Sequence, residues 1–516
     1  MKILLANPPI LLPQKGDEEL YFIKAGSRWP HTIFKKRSMA SPYLPFPFFL
    51  GYAAGLLEAD GFEVEVLDSV ALNQTPAEFL REAAALSPDL VLIETSTPTI
   101  DYDLETAKRL RQQSGCRTAL AGPHVTVFAA DVLAANPEID FILLGEYETN
   151  FLELARALAA GADPASVGGV AHRRDGVPAV VPSPGLVEPL DRLPHPARHL
   201  FPSNRRSDAG AYFDIINRRK PAVQLHSSRG CPFRCSYCLW VNVMYASGRY
   251  RMFTPGYVVG EMEEAVERFG AREIYFDDDT FSINRSHVEG ILGEIETRGL
   301  GVSWSCMADA VGLDGPLLER MARAGCVGVK FGVESAAPAV LAHLEKPVDL
   351  GKVREIVKTC FDLGIRTHAS FMFGLEGETP ETVDETVAFL GTVPLDSVQI
   401  SYRTPFPGTP AYDRLRKDTG RSVAWSEFDG KRRYAPAGET PGEFLAGAES
   451  RAVRAFLRGT LRSPRRLLRK AGYLGRFLVR GDTVLWRYYL LKMRELIRSA
   501  RNRGSVDFSV HENEPS

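Results

Sequence analysis

The sequence predicts an α/β protein with two parallel sheets: a doubly wound, flavodoxin-like N-terminal domain, then a partial (β/α)6 barrel and a helical C-terminal region. Three observations predict this fold class. Over residues 1–160, short runs rich in Val, Ile and Leu alternate with segments of 3.6-residue periodicity, as in a parallel sheet with helices on both faces. The same alternation resumes over residues 221–415. From residue 416 onward the pattern becomes helical.

The N-terminal domain is predicted to contain five buried strands, and ligands are expected at their carboxyl ends. The strands are KILLAN, FEVEVLD, LVLIETS, TALAGP and FILLGE. Residues 10–46 form an insertion after the first strand that is too long for a plain connection, so we expect it to be functional. Residues 161–220 are rich in Gly, Pro and Arg and are predicted to be a linker with one small hairpin, GGVAHRRDGVPAVV.

The second domain is predicted to contain six strands, each followed by a helical or loop segment. These strands are AVQLHSS, EIYFDDD, VSWSCMA, VGVKFGV, THASFMFG and SVQISYR. Six such units predict a partial barrel whose chemistry lies at the carboxyl ends of the strands.

The formal net charge of −2 hides an asymmetry along the chain. Residues 451–503 carry 16 Lys and Arg against Asp482 and Glu495, a charge of +14, so the remainder carries −16. The opening MKILLANPP is too short for a signal peptide, and no apolar stretch reaches the roughly 18–20 residues that span a bilayer. We therefore expect a cytoplasmic protein, in which seven cysteines are too few for a disulfide scaffold.

Three cysteines crowd into the segment SSRGCPFRCSYCLW, which follows the first strand of the second domain. The spacing is Cys231-x3-Cys235-x2-Cys238. Four thiolates would saturate a 4Fe–4S cube, so three leave one iron open to bind a substrate. The alternative is a structural zinc site with a distant fourth ligand. The other four cysteines lie in strand or helix patterns and are interpreted as core residues, which favours the cluster.

The cysteine segment resembles the signature of radical S-adenosylmethionine (SAM) enzymes, including the aromatic residue before the third cysteine. Further segments are similar to the motifs of this family in the expected order: YFDDDTF, VKFGVESA, FMFGLEGET and YRTPFPGTP. The resemblance covers roughly residues 221–412. It implies that Cys231, Cys235 and Cys238 bind a 4Fe–4S cluster and that Tyr237, Asp278, Glu334 and Gly374 contact SAM.

Each SAM motif also has a simpler interpretation from the residues alone. The three aspartates at 277–279 suit a solvated loop or a divalent-cation site, and Glu334 suits a helix cap. Gly374 and Gly377 suit ordinary turns.

Residues 1–160 resemble the cobalamin-binding module that one subclass of these enzymes carries before the barrel. The segments ETSTPT, AGPHVT and GEYET occur in the same order, and their small residues let a bulky corrin approach the backbone. The resemblance implies cobalamin contacts from Thr95, Ser96, Thr97, Gly122, His124, Gly145 and Glu146. The Asp-x-His-x-x-Gly loop that supplies a histidine to cobalt in the general cobalamin pattern is absent, so the cobalt should lack that ligand.

Alternatives remain open for this domain. His124 suits a cobalt ligand, a contact to a phosphate or the nucleotide tail, or merely the start of a helix. The whole domain also suits a sheet that docks substrate without a cofactor.

The resemblance implies a cobalamin-dependent radical SAM enzyme, foremost a methyltransferase acting on an unactivated carbon of a small-molecule or lipid-like substrate. The reduced cluster would cleave SAM to a 5′-deoxyadenosyl radical, and methylcobalamin would deliver the methyl group. An electron donor such as flavodoxin or ferredoxin is expected. A cyclase, ring-rearranging or oxidising enzyme is the first alternative. An RNA methylthiotransferase is disfavoured because its N-terminal domain needs three further cysteines, and a non-catalytic carrier would need no SAM pocket.

The basic tail allows three interpretations. Its Arg residues alternate with Leu, Phe and Tyr at roughly helical spacing, which suits a helix lying on an anionic membrane surface, here the inner membrane. The charge also suits nucleic acid, which we consider the weaker hypothesis. In the third interpretation, the helices pack on the barrel and leave Arg in solvent.

Overall fold

The computed structural model describes residues 1–13, 19–26, 34–36, 43–202, 211–214, 216–245, 248–419, 424–428 and 442–479. Within these ranges the strands are β1 (Lys2–Asn7), β2 (Leu11–Pro13), β3 (Glu19–Phe22), β4 (Phe34–Lys36), β5 (Glu63–Asp68), β6 (Leu90–Glu94), β7 (Arg117–Ala121), β8 (Phe141–Leu143), β9 (Val170–Arg174), β10 (Val177–Val180), β11 (Ala222–Leu225), β12 (Ser228–Gly230), β13 (Tyr250–Met252), β14 (Glu273–Phe276), β15 (Ser303–Ala308), β16 (Cys326–Glu334), β17 (Arg366–Phe373) and β18 (Ser397–Tyr402).

The α-helices of the same ranges are α1 (Phe48–Ala59), α2 (Pro76–Ala85), α3 (Ile100–Ser114), α4 (Pro123–Val127), α5 (Ala129–Ala135), α6 (Glu148–Ala159), α7 (Pro255–Phe269), α8 (Arg285–Arg298), α9 (Gly315–Arg323), α10 (Pro338–His343), α11 (Leu350–Leu363), α12 (Pro380–Thr392), α13 (Pro410–Thr419), α14 (Gly442–Leu461) and α15 (Pro464–Val479). A π-helix, Trp240–Met244, and a short 3-10 helix, Trp425–Glu427, complete the elements that bear on the site.

The predicted five-stranded N-terminal sheet is present, with the parallel order β5-β1-β6-β7-β8. This is the flavodoxin-like order, in which the chain moves to the other side after its first two strands. Buried apolar side chains on both faces pack against the surrounding helices. The loops after β6, β7 and β8 therefore emerge side by side at one edge of the sheet.

The hairpin expected within residues 161–220 is β9–β10, and it belongs to the N-terminal sheet. β9 pairs antiparallel with β8, and β10 pairs antiparallel with β9. This segment thus extends the sheet instead of standing as a free linker, because β8 would otherwise be an exposed edge. The insertion after β1 contributes the small antiparallel sheet β2-β3-β4.

The six predicted barrel strands are all present and parallel, in the order β11-β14-β15-β16-β17-β18. Their helices start where the sequence places good capping side chains. Thr254, Asn284, Asp314, Asp349 and Thr379 each accept a hydrogen bond from a backbone amide in the first turn of the helix that follows. Such caps satisfy amides that have no partner within the helix.

The described part of the basic tail packs on the barrel, but its arginines do not all face solvent. Arg466 donates to the carbonyl of Leu395, and Arg469 pairs with Asp396 at 2.8 Å. The outward side of α15 instead exposes Leu467 and Leu468. Residues 480–516, with the rest of the predicted basic segment, lie outside the described residues. None of the helices that the structure describes has the length and apolar character needed to cross a membrane.

Candidate functional site

The cysteine loop (residues 231–238) is held between β12 and the π-helix. Gly230, at φ +85°, places the chain so close to β13 that a Cβ would lie 2.1 Å from the carbonyl oxygen of Arg249. Only glycine fits there. After the loop, the Asn242 amide donates to the carbonyls of Cys235 (3.1 Å) and Cys238 (2.7 Å). The first end of the loop is therefore fixed by a close backbone approach, and the second end by the Asn242 side chain.

The donor set of this loop fits a 4Fe–4S cluster. All three cysteines are free, and burial raises the pKa of Cys231 to about 12, of Cys235 to about 11 and of Cys238 further, so iron would have to displace their protons. Within the described ranges, no three His, Cys, Asp or Glu side chains are close enough to hold one metal ion. In a 4Fe–4S cube each thiolate binds its own iron, so three cysteines of one loop need not converge on a single ion. Cys231, Cys235 and Cys238 would hold the cluster and leave one iron open.

The acidic segment after β14 positions the cysteine loop. The buried carboxylate of Asp278 accepts hydrogen bonds from the amides of Ser227 (2.7 Å) and Ser228 (2.8 Å) and from the Ser227 hydroxyl (2.7 Å). Asp279 accepts from the amide of Gly230 at 3.0 Å. Asp278 thus has contacts with the chain that the sequence did not reveal, while its predicted SAM contact stays a prediction.

Glu334 lies against Tyr237 of the cysteine loop, and both residues were predicted to contact SAM. Glu334 ends β16 at φ +65°, an unusual backbone conformation for a residue with a side chain. Its carboxylate accepts from Lys346 Nζ at 2.9 Å, and its hydrogen bond with Tyr237 contributes, after burial and charge, to the raised pKa of the phenol. A Cβ at Gly332 would lie 2.1 Å from Glu334 Oε1. A polar cluster therefore adjoins the thiols.

Lys346 is a functional candidate that could not be found from the sequence. Burial alone would lower its pKa, but the neighbouring charges of Glu334, Asp309 and Cys235 raise it instead. The lysine is therefore a cation close to the cysteine loop. It follows a short helix in an unremarkable segment, LEKP, and no spacing links it to Glu334.

Gly374 turns the chain directly after β17. It has φ +74°, and its amide donates to Glu378 at 2.7 Å. This geometry is that of a turn glycine, which was one of the alternatives from the sequence. The predicted SAM contact of Gly374 stays a prediction.

The predicted cobalamin residues gather at the carboxyl ends of three adjacent strands. We call residues 95–97, 122–124 and 145–146 the corrin loops. A Cβ on Gly122 would lie 2.2 Å from the carbonyl oxygen of Thr95, so the first two loops touch. A Cβ on Gly145 would have no neighbour nearer than Met244 O at 3.8 Å, so the third loop leaves room beside its backbone. Small residues and an accessible backbone fit a bulky corrin at this edge.

His124 lies in the first turn of α4, as its helix-start interpretation predicted. Its Nδ1 is 3.3 Å from the Thr97 hydroxyl, and its ring packs against Trp425 at 4.8 Å between centroids and against Phe128 at 5.1 Å. Burial lowers the pKa of His124 to about 4, so the imidazole is neutral. Trp425 comes from the C-terminal region and was not anticipated from the sequence.

Glu146, predicted to contact cobalamin, is enclosed by protein partners. Its two oxygens accept from Arg251 at 2.8 and 2.5 Å, and one also accepts from the amide of Val187 at 3.1 Å. Arg229, just before the cysteine loop, lies 3.4 Å from the same carboxylate. This carboxylate therefore joins the N-terminal sheet to the strands that flank the cysteine loop. The predicted cobalamin contact of Glu146 stays a prediction.

Known proteins share both halves of this arrangement. The family model described as the Radical SAM superfamily matches residues 225–390, and the B12 binding domain matches residues 41–155. An uncharacterized methyltransferase of Pyrococcus horikoshii is 28% identical over 369 residues, covering 71% of this chain and 78% of that protein. An anaerobic magnesium-protoporphyrin IX monomethyl ester cyclase of Rubrivivax gelatinosus is 29% identical over 383 residues, covering 72% of this chain and 66% of that protein.

A solved structure shares the fold. It is that of the radical S-adenosylmethionine methyltransferase TsrM from Kitasatospora setae with cobalamin and a 4Fe–4S cluster bound, at a TM-score of 0.65 and 21% identity, covering 88% of each chain. The two family models confirm the resemblance inferred from the sequence motifs. This chain is a radical SAM enzyme that carries a B12-binding domain, and its cofactors are a 4Fe–4S cluster, SAM and cobalamin.

Proposed function

We propose that this protein is a methyltransferase that methylates an unactivated carbon of a small molecule. The observation that carries the proposal is the contact between the corrin loops and the segment after Cys238. Gly145 faces Met244 of the π-helix, and a Cβ on Gly408 would lie 2.7 Å from Val127 and 2.6 Å from Val243. α4 and the π-helix therefore adjoin. A methyl donor at the corrin loops and a radical source at the cysteine loop would therefore lie close enough to act on one substrate.

The chain's own residues would keep that space aligned and dry. When bound, the cluster and SAM would supply the radical and cobalamin the methyl group. Asp278 and Asp279 hold the backbone that leads to the cysteine loop. Phe49 of α1 stacks on Trp240 at 5.5 Å, which places an apolar seal between the N-terminal domain and the π-helix. Excluding water there would protect reactive intermediates.

Anaerobic reconstitution with iron, sulfide and cobalamin would test this function. With SAM labelled in its methyl group, radical formation yields 5′-deoxyadenosine and methionine, while methyl transfer to cobalamin yields S-adenosylhomocysteine. We expect both sets of products, and label in a new product when substrate is supplied. If no S-adenosylhomocysteine forms while 5′-deoxyadenosine does, the protein is not a methyltransferase.

A cyclase is the second candidate, since a relative of similar identity bears that name. The same assay separates the two functions. A cyclase would form 5′-deoxyadenosine with substrate and would place no methyl label in the product.

We further propose two partners. A small redox protein such as flavodoxin or ferredoxin would reduce the cluster, because the described chain needs an external electron for SAM cleavage. An anionic inner-membrane surface would contact α15, whose outward side exposes Leu467 and Leu468 beside Arg465. Apolar and basic side chains on one exposed face suit such a surface.

A further inference from the structure

The barrel strands have two chemically different faces. Residues that alternate along a strand point to opposite sides of the sheet. On one side, side chains such as Trp304, Val329, Phe331 and Phe371 join the hydrophobic core under the helices. The residues between them face the barrel interior, and most of them are small or polar. They include Ser305, Met307, Lys330, Gly332, His368, Ser370 and Gln399.

These interior residues form two rows across neighbouring strands. In the lower row, the strand register pairs Met307 with Lys330, Lys330 with His368, and His368 with Ser397. In the upper row, Gly332 pairs with Ser370 and Ser370 with Gln399. We call the upper row, Gly332, Ser370 and Gln399, together with Met307 at the end of the lower row, the inner wall.

The inner wall borders open space. Met307, Gly332 and Ser370 are only half-buried, although they lie on β15, β16 and β17, which have a neighbouring strand on each side. Helices cover the outer face of these strands. The exposed surface of Met307, Gly332 and Ser370 therefore faces the barrel interior.

The lower row, with Lys330 and His368, forms the floor of this space. The floor is polar, and the charge of its lysine is neutralised by an ion pair. Lys330 Nζ pairs with Asp214 at 2.8 Å and lies 5.3 Å from the ring of Tyr275. His368 Nδ1 is 2.9 Å from the Ser397 hydroxyl. Burial lowers the pKa of His368 to about 3, so its ring is neutral. The floor thus presents hydrogen-bonding groups without an uncompensated charge.

The inner wall also adjoins the candidate site. Gly332 lies against Glu334 Oε1 and Lys346 Nζ, at 2.1 and 2.7 Å from the position of its missing Cβ. Met372, two residues after Ser370, packs with Tyr237 and Cys235. A molecule on the inner wall would therefore lie next to the cysteine loop.

We propose that the inner wall binds the substrate and that the substrate presents uncharged hydrogen-bonding groups to it, such as hydroxyl, amide or ring nitrogen. The Gln399 side chain hydrogen-bonds His368 and has further hydrogen-bonding capacity. A bare hydrocarbon would cover this capacity and the Ser370 hydroxyl without bonding to either, which is unfavourable. The proposal rests on the proposed function and refines its substrate class. It favours a polar small molecule over the lipid-like substrate that the sequence also allowed.

To test the proposal, the reconstituted holoenzyme is incubated separately with two fractions of an extract from its source cells. One is the aqueous fraction, and the other is the chloroform-soluble fraction. With methyl-labelled SAM, we expect label in a molecule of the aqueous fraction. Label in a hydrocarbon lipid of the chloroform fraction would overturn the polar-substrate proposal while leaving the methyltransferase function intact. If S-adenosylhomocysteine and labelled product are both absent, the proposed function fails, and this inference fails with it.

Variants then test the wall itself. Ser370→Ala and Gln399→Leu should lower the ratio of methyl transfer to uncoupled SAM cleavage by roughly tenfold, the effect of one lost hydrogen bond to a substrate. Ser303→Ala, at the opposite end of β15, is the matched control and should keep the ratio. The ratio corrects for any loss of folded protein. An unchanged ratio in both wall variants would show that the substrate binds elsewhere.

Discussion

Each of the three thiols in the cysteine loop is expected to be required for binding the cluster. Reconstituted protein should carry about four irons, and Cys→Ala at 231, 235 or 238 should lower 5′-deoxyadenosine formation by roughly 100-fold or more, because three ligands are the minimum for an open-iron cube. Cys116→Ala, in the N-terminal core, is the control and should retain iron and activity. Normal 5′-deoxyadenosine formation by the triple variant would refute the cluster assignment.

Glu94 should make stability depend on pH. It ends β6, accepts from the Tyr147 hydroxyl at 2.7 Å, and burial raises its pKa from 4.5 to about 7. The folded chain therefore keeps this proton when the unfolded chain has lost it, so the free energy of unfolding should fall as pH rises from 4.5 to 7. The loss is on the order of 3 kcal/mol.

Glu94→Gln should abolish that loss. Urea unfolding at pH 5 and pH 8 would measure the change in unfolding free energy for each variant. Glu63→Gln, at an exposed carboxylate, is the control and should keep the pH dependence of the wild type. If the unfolding free energies of wild type and Glu94→Gln depend on pH in the same way, Glu94 is not protonated in the folded protein.

The residues that sequence motifs could reveal are those whose type and spacing the chemistry fixes. The cysteines, Tyr237 and Glu334 belong to this class, and the structure brings the last two together. Lys346 and Trp425 could not be found, since their partners lie far along the chain and neither belongs to a motif. The arginine partners of Glu146 could not be predicted either, because a strand-end carboxylate has the same local pattern whether it faces a ligand or an arginine.

At the scale of elements, β12 shows how the cysteine loop is anchored to the N-terminal domain. Arg229 is wholly buried, pairs with Glu148 at 2.6 Å, and lies over the rings of Phe49 (4.9 Å) and Tyr52 (4.8 Å). Arg229→Gln would leave Glu146 and Glu148 without full compensation, so it should destabilise the fold by about 3–5 kcal/mol. Chemical denaturation would measure this, and the line shape of the reduced cluster in electron paramagnetic resonance should broaden.

Arg285→Gln is the matched control for Arg229. Arg285 also contacts two acids, Glu289 and Asp314, but its side chain is 49% exposed. Its loss should cost less than about 1 kcal/mol. Equal effects of the two substitutions would mean that the buried network does not anchor the loop.

The C-terminal helices yield a prediction about membranes. The intact protein should sediment with anionic vesicles at low salt and be released at high salt, since each basic residue near the surface contributes on the order of 1 kcal/mol. Leu467→Ser with Leu468→Ser should weaken attachment, because these side chains face outward. Val311→Ser, exposed on the barrel, is the control. If the intact protein does not sediment with the vesicles at low salt, the membrane proposal is wrong.

For the whole molecule, the sequence predicted both sheets but not how they meet. Strand and helix periodicity is local, so five N-terminal and six barrel strands could be placed in advance. The junction depends on pairs far apart in the chain, such as Glu146 with Arg251, 105 positions later, and these leave no local pattern. The hairpin β9–β10 was predicted as an element, yet its pairing with β8 was not, because its own residues do not specify the neighbouring strand.

The meeting of distant segments at the corrin loops gives a last prediction. Trp425 lies against His124 and Phe128 at the carboxyl end of β7, so residues near the C-terminal end of the barrel cover the edge where cobalamin is expected. Trp425→Ala in the full-length protein would open this edge to water. We expect hydroxocobalamin to bind roughly tenfold more weakly, equivalent to about 1.4 kcal/mol. Tyr102→Ala, exposed on α3, should leave the affinity unchanged. Equal affinity of both variants, measured by absorption titration, would show that the N-terminal domain holds cobalamin without help from the C-terminal region.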